Sequence, residues 1–312
     1  YIGKNAKVDA SKSLTVSSES IVPSQMTWIE GWSFDYDWPT FNSGDTTGEF
    51  IENAWNFGVG TISEAVGTTL NTLSDYLNLS FGVANKISTT YTQCSGSGDK
   101  LGIAGAVTFV NLDNISNAYI DEGAKVNTDS AFYGPEQSVL VNAYSSVDEI
   151  DIAGLFSIFS LGFGTTGKGS VGGSYVGGVF RNTAKASIKD GAAVSAKKNS
   201  SETSDKNDIK VSAETHHRKL SVAEAGGNSD KFTITGAFNA LDLENTALAY
   251  VEDTADLSAS HDVDIEAKNE VSIINVVAGV AKSDTVGIGA GVSWNDIDNV
   301  VKAFIGNVED SS

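Results

Sequence analysis

The chain has 312 residues, 40 acidic against 20 basic, giving a formal net charge of −20, and only two of the bases are arginine, Arg181 and Arg218. A surface of that sign repels phosphate backbones and anionic lipid, which argues against nucleic-acid binding. A single cysteine, Cys94, excludes an internal disulfide, and no run of about eighteen apolar residues marks a membrane-spanning helix.

The opening stretch YIGKNAKVDASKSLTVSS alternates apolar with polar residues, as at Lys7-Val8-Asp9-Ala10 and Leu14-Thr15-Val16-Ser17. Alternation over about four to six residues predicts strands with one face buried. The Asp, Gly, Lys, Ser and Asn residues in the breaks predict turns. The same plan returns without a gap in YVEDTADLSASHDVDIEA, which sets Tyr1 on Tyr250, Val8 on Leu257, Leu14 on Val263 and Val16 on Ile265.

Residues 19–79 break the pattern. Ser18 and Gly82 are 64 positions apart where the matching Ala267 and Gly279 are 12 apart, so about 52 residues are extra. Trp28, Trp32, Phe34, Tyr36, Trp38 and Phe41 crowd the start of this insertion. Farther on, Ile62, Ala65, Val66, Leu70, Leu73 and Leu77 follow helical spacing, and Thr61 with Glu64 reads as a capping box. Gly58 and Gly60 separate this helix from an earlier one near Glu49–Phe57. Two readings follow. The aromatics and helices pack as a small, partly helical side domain, or the six aromatic residues form an exposed surface that recognises a glycan or protein. The apolar helix face also makes 50–77 a candidate for membrane contact.

The segment GIAGAVTFVNLDNISNAYID, starting at Gly102, aligns without a gap on GIGAGVSWNDIDNVVKAFIG, starting at Gly287. TITGAFNALDLENTALAYVE and VGGSYVGGVFRNTAKASIK share the plan. Ala118, Ala186, Ala249 and Ala303 mark the same place in each, at steps of 68, 63 and 54 residues. The chain thus divides into repeats 1–118, 119–186, 187–249 and 250–303 and the opening of a fifth, 304–312, and it reads as part of a longer array. Short strands, small inward residues and regular breaks predict an all-β, right-handed parallel β-helix, a single β-solenoid with two or three rungs of about twenty residues per repeat. The Gly-rich second half of each repeat predicts tight bends or close backbone approach.

Asn114, Asn182, Asn245 and Asn299 share one repeat position and read as a structural ladder at a turn. Asp113, Glu244 and Asp298 precede three of them but Arg181 precedes the fourth, so a calcium site repeated there is not expected. Asp296 and Asp298 remain candidates for one local calcium ion, and no other cofactor is implied. His216-His217-Arg218 lies in a polar run and reads as solvated surface, its neighbouring histidines pointing to opposite faces. No H-E-x-x-H, G-x-S-x-G or P-loop is present, and no catalytic residue is assigned.

The combination of A-Y-I-x-x-x-A-x-V, short V-x-I-x-A strands and G-x-G-A-G-V-x-x-N-x-I-D-N resembles the repeats of leukotoxin-like filamentous adhesins, which are similar in plan to filamentous haemagglutinins. The resemblance covers most of the chain outside the insertion. It implies export to the bacterial cell surface by a type V or two-partner route. It also implies an extended fibre that attaches to host cells or other bacteria, and no catalytic residues. The expected function is that of a non-enzymatic structural stalk and adhesin, with a host-cell or bacterial surface glycan or protein as partner and with lateral or end-to-end self-association. The alternatives are a membrane-active cytotoxin segment and a β-helical carbohydrate-active enzyme.

Overall fold

The computed structural model describes residues 1–22, 89–92, 98–154, 167–199, 201, 203 and 205–306. Trp28, Trp32, Phe34, Tyr36, Trp38, Phe41 and the segment 50–77 lie outside the described residues. The strands, in chain order, are β1 (Lys7–Val8), β2 (Leu14–Val22), β3 (Thr89–Thr92), β4 (Leu101–Ile120), β5 (Lys125–Val126), β6 (Val139–Gly154) and β7 (Gly169–Ile188). They continue as β8 (Ala193–Ala196), β9 (Ile209–Ser229), β10 (Phe232–Val251), β11 (Asp256–Ala259), β12 (Val263–Ser283) and β13 (Val286–Ile305).

These strands form three parallel sheets. A front sheet runs β13-β10-β7-β4, a back sheet runs β12-β9-β6-β2 with β3 also on β6, and a short sheet runs β1-β5-β8-β11. Each turn of chain passes from a front strand through a short strand to a back strand, then returns to the front in the next layer. The molecule is a parallel β-solenoid.

One repeat makes one coil. Ala118, Ala186, Ala249 and Ala303 sit side by side across β4, β7, β10 and β13. Val8, Val126, Val194 and Leu257 do so in the short sheet. Leu14, Val139, Ile209 and Val263 do so in the back sheet. The expectation of two or three rungs per repeat is therefore corrected. The front strands are 20 residues long, about 65 Å of extended chain. Residues that read as turn signals, such as the Asp-Asn pair at 113–114, lie inside these strands, because alternation carries the acid outward and the asparagine inward.

At one end the three sheets enclose a prism filled by Ile120, Ile188, Val251, Val126, Val194, Val141 and Val211. Small alanines such as Ala186, Ala213 and Ala249 let the sheets close on it. Each fully buried Ile or Val contributes about 1.5–3 kcal/mol. Three of the four corners between front and short strands hold a left-handed residue, Asn5, Gly123 and Gly191 at φ 58°, 66° and 68°. Beyond the prism the front and back sheets continue as a two-layer sandwich. Its core is first Phe180, Leu241 and Leu243, then a thin layer of Ala106, Ala153, Val176, Ala223, Ala225 and Ala237. At Gly172 the layers nearly touch: an added Cβ would lie 2.8 Å from the Gly226 carbonyl oxygen.

The insertion interrupts one back strand. β2 ends at Val22 opposite Val147, and β3 resumes at Thr89 opposite Ile150. Residues 23–88 thus fall between two halves of one row. The expected start of the insertion at residue 19 lies inside β2, where Glu19 pairs with Tyr144.

Candidate functional site

Two features of the described residues carry chemistry beyond a hydrocarbon core. The first is polar and buried between β6 and β9. Inward parity on β6 passes from Val139, Val141 and Ala143 through Ser145 to Glu149 and Asp151. On β9 it passes from Ile209, Val211 and Ala213 through Thr215 to His217 and Lys219. Glu149 stands opposite Lys219 in register.

The Lys219 side chain is 1% exposed and those of Glu149 and Asp151 are 0% exposed. Lys219 Nζ contacts Asp151 Oδ2, lies 3.3 Å from Glu149 Oε2, and sits 4.3 Å from the centre of the Phe180 ring. Thr90 Oγ1 donates to Asp151 Oδ1 at 2.5 Å. Burial pushes the Glu149 carboxyl up to about 8, against the pull of Lys219. His217, with its ring edge to face on Phe180 at 5.4 Å, is pushed down to about 3, chiefly by burial and then by the charge of Lys219. The solvated reading of the His216-His217 pair is corrected for His217, which is fully buried. On the other face of the same strands, Arg218 forms a two-pronged pair with Asp148, at 2.8 and 2.7 Å.

The asparagines stand next to this cluster. Asn114 Nδ2 donates to Asn182 Oδ1 at 3.2 Å, and Asn245 Nδ2 to Asn299 Oδ1 at 3.0 Å. Asn182 and Asn245 are in-register neighbours on β7 and β10. The four form one inward row within the strands rather than at a turn. Ser145 and Thr215 meet this row from the back sheet, through Asn182 and Asn269. The residues preceding them face out, and there Arg181 lies between Asp113 and Glu244, at 3.5 and 3.6 Å.

The second feature is the outer face of the front sheet. Its first five outward rows run from Leu101 to Phe109 on β4 and from Val286 to Trp294 on β13, with β7 and β10 between. Every one of these positions is uncharged. Ile103, Val107, Phe109 and Trp294 are 68%, 66%, 59% and 52% exposed, and Ile234, Ile288 and Val292 are exposed beside them. Tyr175 stacks on Phe238 with ring centres 5.8 Å apart. A row of small residues, Gly105, Gly173, Gly236 and Ala290, makes a shallow trough between the branched and aromatic rows. From strand spacing and rise the field measures about 500 Å², a size at which exposed apolar patches mark interaction sites. Charge begins abruptly past it, at Asp242 and Asp296 and then at Asp113, Arg181, Glu244 and Asp298.

Asp296 and Asp298, the calcium candidates, are thus exposed on the outer face of β13, beside Asp242 and Glu244 respectively. Among the described residues, the group able to offer three ligand atoms to a metal is Asp208, His261 and Asp262, at the exposed corner where β9 and β12 begin. An open depression of about 510 Å³ near it is lined by residues including Ser11, Lys12, Tyr133, Glu136 and Lys206. No described helix is long and apolar enough to cross a membrane.

Neither the buried cluster nor the apolar field was singled out from the sequence, although parity carries a signal for both. Glu149, Asp151, His217 and Lys219 share the inward parity of Val and Ala, and Ile103, Val107 and Phe109 are apolar at outward parity. No protein-family model, curated protein or solved structure matches the chain.

Proposed function

We propose that this chain is part of a structural stalk and adhesin of a long, exported bacterial surface protein, and that it grips a protein on a host or bacterial surface through the outer face of its front sheet. The observation that carries the reading is the uncharged, exposed apolar field on a chain of net charge −20. Excess negative charge keeps the remaining surface solvated and repels acidic cell surfaces. Attachment then falls to a face where contact is apolar and rigid. A parallel sheet supplies that rigidity, since its side chains are fixed in rows by backbone pairing. The solenoid supports the stalk role, because each repeat adds one strand to every sheet and contacts mainly its neighbours. The resemblance to leukotoxin-like filamentous adhesins agrees with both roles.

The test compares binding to cells by the whole chain, by a chain lacking residues 23–88, and by an Ile234→Asp/Val292→Asp double variant. Two buried, unpaired carboxylates in an apolar contact should weaken binding about a hundredfold or more, since each costs over ~1.4 kcal/mol. The account expects loss in the double variant and retention in the deletion. Loss on deletion alone would move recognition to the insertion, and intact binding by both variants would defeat both placements.

A further inference from the structure

The Lys219–Asp151–Glu149 cluster is more than an ion pair. We infer that Lys219 Nζ and Asp151 Cγ condense spontaneously into an intramolecular amide bond that staples one coil of the solenoid to the next, with Glu149 as the proton-transferring catalytic residue. This inference is independent of the proposed adhesive role.

Geometry carries it first. Nucleophile and electrophile are already in contact, in a site that water does not reach. Such fixed proximity replaces the entropy cost that makes amide formation slow between free groups. The strands holding them are paired in register on both sides of the contact, at Ile150–Leu220 and Ile152–Val222. The Phe180 ring covers the amine from the front sheet.

Electrostatics points the same way. An ammonium and a carboxylate buried together carry a large desolvation cost, which a neutral amide would not. An uncharged lysine is a nucleophile, and an uncharged carboxyl has a hydroxyl able to leave. Glu149 keeps its proton at neutral pH through burial. Its Oε1 has no hydrogen-bond partner, although Oε2 is 3.3 Å from the amine.

The step balances without any co-reactant. A proton passes from Nζ to Asp151 Oδ2 across their contact, and the freed Nζ lone pair attacks Asp151 Cγ while Thr90 Oγ1 holds Oδ1 as the carbonyl oxygen. Glu149 gives its proton to the departing Oδ2 hydroxyl and takes one from the nitrogen. The Nζ–Cγ bond forms, the Cγ–Oδ2 bond breaks, and one water leaves. Glu149 ends protonated, as it began. The product exchanges two buried charges for one neutral amide whose oxygen keeps the Thr90 hydrogen bond.

The bond would close a loop across 68 positions, joining β6 to β9. In a solenoid loaded along its axis, that is where neighbouring coils would otherwise separate.

The decisive experiment is the intact mass of the whole purified chain, with peptide mapping. The expected result is a mass one water below that of the sequence, and a branched tryptic peptide joining the Lys219 and Asp151 segments. Lys219→Met and Asp151→Ala should each have the full sequence mass. Glu149→Gln should leave most of the chain unlinked after folding. A wild-type chain at full sequence mass with a free Lys219 overturns the inference, whatever the variants do. A branch from Lys219 to Glu149 overturns the assignment of Asp151 as acceptor, and complete linkage in Glu149→Gln overturns the role of Glu149.

Discussion

Asn114 Nδ2 donates to Asn182 Oδ1 at 3.2 Å, from one coil to the next. Asn182 passes the pattern on, donating through Nδ2 to the His216 carbonyl at 3.0 Å and the Ser145 carbonyl at 3.3 Å, while its Oδ1 also accepts from Ser145 Oγ at 2.6 Å. It divides the prism from the sandwich and is fully buried. Asn182→Ala strands these partners in the core and should lower stability by about 2–4 kcal/mol. Asn299→Ala, on the exposed last strand, should cost less than about 1 kcal/mol. Denaturant midpoints of the two variants test the contrast. Equal losses would mean that the row is not a buried network.

Arg181 interrupts a column of acids on the outer face. Its ion pairs are half exposed, so each is worth little by itself. Arg181→Glu instead stacks four acids at one strand spacing. Thermal unfolding should shift down by a few degrees at low salt and recover most of the loss at about 1 M salt, where screening acts within about 3 Å. A loss indifferent to salt would contradict the column.

His217 gives the fold an acid limit. Its folded value is pushed down to about 3 by burial, below the ordinary 6.5, so the unfolded chain binds the proton first. Stability through this group is fully present above about pH 6.5 and is lost toward pH 3, at up to about 1.4 kcal/mol per pH unit. Glu149 acts with the opposite slope. Its raised folded value means that its contribution is full below about 4.5 and declines as pH rises to about 8. His217→Leu should remove the acid slope and leave the alkaline one, as read from unfolding free energies between pH 3 and 8. An unchanged acid slope would place the acid sensitivity elsewhere.

Glycines on the two faces of the front sheet should respond in opposite ways. Gly172→Ala meets the Gly226 carbonyl oxygen of the back sheet at 2.8 Å, backbone against backbone, and should cost about 1–3 kcal/mol. Gly236→Ala points outward with nothing within 4 Å and should be neutral or stabilise by up to about 1 kcal/mol. Destabilisation by Gly236→Ala comparable to that of Gly172→Ala would contradict the close approach of the sheets.

The repeat and its register were legible in the sequence because a parallel solenoid stacks like on like. The alignment of Ala118, Ala186, Ala249 and Ala303 is the strand pairing itself. The size of the coil was not legible. Asp113-Asn114 and Glu244-Asn245 carry turn chemistry, and only the neighbouring coil shows that a stacked asparagine and an outward acid let a strand run through them. The buried cluster was hidden for a related reason. His217 reads as solvated in a polar run until Glu149 and Asp151, a whole coil away, are placed opposite β9. Local patterning reports which face a residue occupies but not what waits there.

One repeat per coil is the claim on which the asparagine row, the Lys219–Asp151 contact and the apolar field all depend. It is tested by spin labels at Ile115→Cys and Val300→Cys in a background with Cys94 replaced. These positions share one outward row and are three strand steps apart, through Thr183 and Thr246. Dipolar spectroscopy should then report a backbone separation of about 14 Å. A separation of about 29 Å or more would mean two or more rungs per repeat and would contradict the account.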